Sequence, residues 1–232
     1  MIRGLYSAAG GMQATSLQQD VTAHNLNHAM KPGYQREVLR FNATGPREEL
    51  LGPEATLHTD FSPGTLEFTG NTLDVALNGP GFFQIQGPSG PLYTRSGTFQ
   101  LNGQGQIVTP EGRIVRGTAG PITIPPDAVN IDILDDGTVI ADGGEIDQLS
   151  VVAFQNPNDL SRVGTTYFAA SPNAARSEAG PEVRQGYREN GNTTVVQEMV
   201  QMIAGLRQFE AAQRALRSLG DTIALNTRPL NR

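Results

Sequence analysis

Apolar residues recur at helical intervals at both ends of the chain and at strand intervals through its middle. From Leu5, the positions Ala8, Ala9, Met12, Leu17, Val21 and Leu26 fall on one broad helical face, and Pro32-Gly33 then breaks the pattern. The spacing predicts a helix over residues 3–30, about 42 Å long at the α-helical rise. Its charges are Arg3 and Asp20. The rest is mostly Ala, Gly, Ser, Thr, Asn and Gln, small or uncharged groups that let neighbouring backbones approach. Gly10-Gly11 costs an isolated helix about 0.8–1 kcal/mol per glycine relative to alanine, so packing must offset that loss.

Toward the other end, Val195, Met202, Phe209, Leu216 and Ile223 recur in heptads, with Met199 and Leu206 at the companion position until Gln213 and Gly220 interrupt it. Thr194 with Gln197 fits a capping box, Glu198 lies in the first turn, and Pro229 sets an outer limit to the helix. Two such helices can pair as an antiparallel hairpin and still present apolar side chains to other partners. The candidate assembly-interface residues are Leu5, Met12, Leu17, Val21 and Leu26 on the first helix. On the second they are Met199, Met202, Leu206, Phe209, Leu216 and Ile223.

Between the ends the period shortens. Residues 36–69 contain Gly45-Pro46, Gly52-Pro53 and Pro63-Gly64 and read as an extended connector. From residue 73, segments such as LDVAL, GFFQIQ, PLYTR, NIDIL and QLSVVAF are short, β-prone and separated by turns. Asn102-Gly103 marks a tight hairpin, Pro110-Glu111-Gly112 another, and Asp135-Asp136-Gly137 suits a type I turn followed by a glycine bulge. The expected organisation is α+β. Residues 1–35 and 189–232 supply paired helices of one discontinuous helical domain, residues 36–69 a connector, and residues 70–188 a mostly antiparallel β-domain.

Composition narrows the function. The chain has 232 residues, 27 glycines, 15 prolines and no cysteine or tryptophan, which excludes disulfides and thiol chemistry. Residues 37–188 carry 18 acidic against 9 basic side chains, whereas the two ends are slightly basic. An acidic middle is the opposite of a nucleic-acid footprint. No run approaches the roughly 20 apolar residues of a membrane span, and the start shows no cleavable signal pattern.

The search for site chemistry is largely negative. His24 and His28 stand four apart on the first helix, but HNLNH lacks the glutamate of a zinc hydrolase. Asp132, Asp135, Asp136 and Asp142 miss the spacing of an EF-hand loop. The glycines of NGPGFF fit hairpins rather than a phosphate loop. No motif joins a nucleophile to a base, so no catalytic residue, metal, cofactor or small-molecule substrate is expected.

Four stretches carry a resemblance: AHNLNHAMKPGYQR at 23–36, TGNTLDVALNGPGFFQI at 69–85, YTRSGTFQLNGQGQIVTPEG at 93–112 and NTTVVQEMVQMIAGLRQFEAAQRAL at 192–216. Together, and in this order, they resemble the bacterial flagellar basal-body rod and hook protein family. The resemblance implies a non-enzymatic axial subunit that polymerises with copies of itself and neighbouring rod subunits to transmit torque between motor and hook. It implies terminal helices in an inner tube, a β-domain facing outward, and a place in the periplasm-spanning rod. It also implies export by the flagellar type III apparatus without a cleavable signal peptide. The chain departs from the family pattern at Lys31, where a threonine commonly precedes PGY, and in ENGNT at 189–193. Its length and short connector after Tyr34 are more similar to a proximal rod subunit than to a distal rod or hook-like one. A non-enzymatic adhesion or ligand-binding β-domain is the alternative from another class.

Overall fold

A computed structural model of the chain describes residues 2–42, 54–177 and 180–227. The chain divides into two units. The first comprises residues 1–27, 37–60 and 193–232, and the second residues 28–36 and 61–192. Of the segment read as a connector, residues 37–60 therefore fall in the first unit and the remainder in the second.

The first unit is built on two helices that pack together, α1 (Ile2–His28) and α2 (Val195–Thr227). At 27 and 33 residues they extend about 40 and 50 Å. The missing Cβ of Gly205 leaves room for Gln19 of α1: an added Cβ there would lie 3.3 Å from the Gln19 Cγ. Thr194 caps α2, its Oγ1 accepting from the Gln197 backbone N–H at 3.3 Å. Beside the cap, the Thr193 hydroxyl donates a buried hydrogen bond to Glu198 Oε1 at 2.6 Å. An antiparallel hairpin of Glu37–Asn42 with Glu54–Thr59 completes the unit. Buried Asn25 on α1 ties it down, accepting from the Glu37 N–H and donating to the Glu37 carbonyl, both at 2.9 Å. One side chain thus replaces a strand neighbour.

The second unit is antiparallel β structure. Its largest sheet has six strands in the order Leu160–Arg162, Tyr167–Ala170, Pro91–Thr94, Phe82–Gln86, Val151–Phe154, Arg176–Ser177. Consecutive Phe82 and Phe83 are both buried because this sheet is covered on both faces. Phe83 and Ile85 enter an aliphatic core with Val75, Leu77, Ile107, Val115, Ile122, Ile124 and Val139. Phe82 enters an aromatic cluster with Tyr93, Phe154 and Phe168, in which the Tyr93 and Phe154 rings meet edge to face at 5.0 Å. A three-stranded sheet (Gly144–Gln148, Thr138–Ala141, Ile131–Ile133) and short two-stranded ribbons surround these cores.

Three hairpins share one construction. In the loops Asn102–Gln106, Thr109–Arg113 and Leu134–Thr138, the first residue donates to the fifth and the fourth donates back to the first. The fourth is a glycine in the left-handed region, at φ +73, +80 and +87 for Gly105, Gly112 and Gly137. At the first loop this corrects the sequence expectation. The turn does not pivot on Asn102-Gly103: the left-handed residue is Gly105, and Asn102 Oδ1 accepts from the Gln104 and Gln106 N–H groups at 2.9 Å.

Candidate functional site

Along α2 the covered positions follow a helical stripe. Val195, Met202, Gly205, Phe209, Ala212 and Leu216 are half-buried, and Glu198 is fully buried. Beside this stripe runs a second apolar one that the unit leaves open: Val196 (72% exposed), Met199 (50%), Val200 (61%), Ile203 (52%) and Leu206 (48%). A helix with two apolar stripes and cover for only one presents the other to a partner.

The predicted interface residues therefore separate into two groups. Met202, Phe209 and Leu216 face the interior of their own unit, whereas Met199 and Leu206 lie on the open stripe. On α1, Met12, Val21 and Leu26 are half-buried and Leu17 is exposed. The side chains of Leu5 and Ile223 lie outside the described residues. Sequence reasoning missed Val196, Val200 and Ile203. A heptad frame centred on Val195 and Met202 hides them, although Val196, Met199, Val200 and Ile203 repeat at i, i+3, i+4 and i+7.

Within the second unit, the stretches that carried the resemblance converge on one buried ion pair. Arg95 of YTRSG meets Glu189 at 2.6 Å, the two side chains 6% and 0% exposed. The Arg95 guanidinium also donates to the carbonyls of Gly79 and Gly81, each at 2.8 Å, which belong to NGPGFF. Glu189 Oε1 accepts from the Gly64 N–H at 3.0 Å and from Gln35 Nε2 at 3.5 Å, and the Glu189 carbonyl accepts from the Gly33 N–H at 2.7 Å. These added bonds are what a buried charge pair needs to offset its desolvation. Close by in sequence, Asn192 Oδ1 accepts from the Arg36 N–H at 2.7 Å, and its amide donates to the Ser62 carbonyl at 3.0 Å and to Gln35 Oε1 at 3.2 Å.

The PGY element is held by the same neighbourhood. Gly33 adopts φ +66, and a Cβ there would sit 2.2 Å from the Ser96 nitrogen. Tyr34 is wholly buried, with the Arg162 guanidinium 5.3 Å from its ring centre and the His28 ring 5.5 Å away.

The remaining titratable groups serve the fold. The Tyr167 hydroxyl donates to Glu111 Oε2 at 2.5 Å and lies 2.9 Å from the Thr109 hydroxyl. Burial, then the bond to Glu111, pushes the Tyr167 phenol well above the usual tyrosine range. Burial alone would raise Glu111, but hydrogen bonds from Tyr167, its own backbone and Thr109, with the Lys31 charge, outweigh it and hold the carboxyl below its ordinary value. Asp136 accepts from the Thr138 N–H, and Asp142 from those of Val129 and Asn130. Both act as loop caps, with carboxyls held below the usual range by those backbone bonds. His24 lies 3.9 Å from Glu37. Among the described residues no group of three or more His, Asp or Glu side chains is placed to hold a metal ion.

Residues 76–141 match the family described as the flagellar hook protein FlgE/F/G D1 domain, and residues 184–223 match the flagellar basal body rod FlgEFG protein C-terminal family. The flagellar basal-body rod protein FlgF of Escherichia coli (strain K12) is 34% identical, with 95% of each chain covered. FlgG of Buchnera aphidicola subsp. Schizaphis graminum (strain Sg) is 32% identical over 93% of this chain and 95% of its own length. FlgG of Bacillus subtilis (strain 168) is 27% identical over 93% and 94%. With the buried Arg95–Glu189 pair and the β-unit falling inside this near full-length match, the chain belongs to the flagellar basal-body rod and hook protein family, in its FlgF/FlgG group of non-catalytic, axial structural subunits.

Proposed function

We propose that this subunit polymerises into the proximal part of the flagellar rod, with copies of itself and neighbouring rod subunits, and there transmits torque between motor and hook. The observation that carries the reading is the open stripe Val196, Met199, Val200, Ile203 and Leu206. An isolated chain leaves these apolar side chains in water, and a packed neighbour would remove them from it at about 25 cal/mol per Å². The contact set comprises that stripe, the exposed Leu17, and the helix positions Leu5, Met12, Val21, Leu26, Met202, Phe209, Leu216 and Ile223.

In this arrangement the helical unit, 1–27, 37–60 and 193–232, lines the tube, and the acidic β-unit, 28–36 and 61–192, faces outward. The subunit reaches the periplasm-spanning rod through the flagellar export apparatus. Its short segment after Tyr34 supports the proximal assignment over the distal one. Electron microscopy of basal bodies from a strain lacking the chain tests both parts. A missing rod segment adjoining the motor is the expected result. A gap next to the hook would reassign the subunit to the distal rod, and a complete rod would remove the structural role.

A further inference from the structure

The chain passes between its two units at four points: after Asn27, after Arg36, after Asp60 and after Asn192. On the second unit, two side chains gather the segments beside the last three of those points. Asn192 accepts from the Arg36 N–H and donates to the Ser62 carbonyl, and its own N–H donates to the Tyr34 carbonyl at 3.1 Å. Glu189 takes the Gly64 N–H on its carboxylate and the Gly33 N–H on its carbonyl. The two share Gln35 between them. Arg95 holds Glu189 in place from the core side, its other donors fixed on Gly79 and Gly81.

We infer that Glu189 and Asn192, held by Arg95, are positioning residues for assembly: they clamp the chain beside three of its four crossings, those after Arg36, Asp60 and Asn192, to the β-unit, so that load on these segments is taken up by one cluster. Hydrophobic packing of the β-unit does not require the Asn192 side of this cluster. The two hydrophobic cores of the unit include neither Asn192 nor the 33–36 segment. Three of the four covalent paths between the units nevertheless run through this cluster, so force on those segments reaches it first. A loose clamp would leave the β-unit folded but its crossings free to separate, and load would then be absorbed by local opening instead of being passed on.

The inference rests on the reading that the helices are what assemble, and the experiment separates the two. A strain lacking the gene is complemented with the wild-type chain, Asn192→Ala, Glu189→Gln, or the control Ile124→Val, a small change in the aliphatic core. If the wild-type chain fails to restore the rod, the assembly reading falls. If it succeeds, swimming speed is measured at low and raised viscosity, alongside the melting temperature and amide exchange of the purified full chains. The expected result for Asn192→Ala is exchange at Arg36 about tenfold faster with core amides at Phe83 and Phe168 unchanged. Speed is expected to fall more steeply with viscosity than for the wild type, and Ile124→Val to behave as wild type at every viscosity. Glu189→Gln keeps the shape but strands the Arg95 charge, so it is expected to lower the melting temperature as well as to steepen the fall of speed with viscosity. Load sensitivity unchanged in both clamp variants, or matched by Ile124→Val at the same melting temperature, would overturn the inference.

Discussion

Glu189 and Arg95 are 94 positions apart in the chain, yet their charged groups meet at 2.6 Å where almost no solvent reaches either. A pair of this kind is worth little against a well-packed apolar replacement, but removing one partner strands the other in a medium that cannot solvate it. Arg95→Met or Glu189→Ala should therefore cost about 3–5 kcal/mol of β-unit stability, measured by urea unfolding. The exposed pair Glu67–Arg188, at 3.1 Å, provides the contrast. Glu67→Gln should leave the unfolding midpoint nearly unmoved.

Glycine replacements should rank by backbone and space together. Gly103→Ala meets open space without a left-handed backbone and should be close to neutral, whereas Gly112→Ala has the space but sits at φ +80, costing about 1–2 kcal/mol. Gly33→Ala adds to the same backbone penalty a Cβ 2.2 Å from the Ser96 nitrogen, and Ser96 is backbone that cannot rotate away. It should be the most damaging of the three, and thermal melts of the purified variants give the order.

Stability should fall at both ends of the pH scale through Tyr167 and Glu111, the first chiefly by its burial and the second by its hydrogen bonds. The folded Tyr167 phenol titrates above its unfolded value, so its contribution is complete below about pH 10 and is lost as pH rises beyond it. The folded Glu111 carboxyl titrates below its unfolded value, so its contribution is present above about pH 4.3 and is lost as pH falls through the folded value. Tyr167→Phe should flatten the alkaline limb of a melting-temperature profile, and Glu111→Gln the acid limb. An unchanged alkaline slope in Tyr167→Phe would assign that limb to another group.

On α2, the open and covered stripes should respond differently to charge. Ile203→Asp and Val200→Asp place a carboxylate in water on the free subunit, shifting its stability by no more than about 0.5 kcal/mol, but would bury that charge in an assembled rod. Phe209→Asp should damage the free helical unit as well as assembly. Circular dichroism of purified subunits and recovery of each variant in isolated basal bodies distinguish the two. Normal incorporation of Ile203→Asp would remove the open stripe from the interface.

Much of the architecture was legible in local pattern. The first helix was expected at 3–30 and spans Ile2–His28, because Pro32 and Gly33 stop it by rules that need no tertiary context. The glycine hairpins at 109–113 and 134–138 follow from backbone chemistry in the same way. What stayed hidden depends on distant partners. Nothing near Arg95 announces a buried carboxylate, since Glu189 comes from the far end of the β-unit, and a lone charge in a polar stretch reads as surface. The open stripe was hidden for another reason. Heptad spacing locates apolar positions but does not say which of them the subunit covers for itself, and that is decided by where α1 lies.

The first unit is assembled from three separated stretches, with Gln19 near the beginning of the chain packed where Gly205 allows it. A ribosome delivers these residues in order, so α1 emerges long before the helix it packs against exists. The intervening residues 61–192 can meanwhile condense from contacts of shorter reach, because closing the larger loop costs more entropy and comes last. The gap between emergence and closure sets a waiting time during which α1 has no internal mate. Few aliphatic groups and many small polar ones along α1 suit such a wait, since they lower the penalty of standing unpaired and the temptation to aggregate.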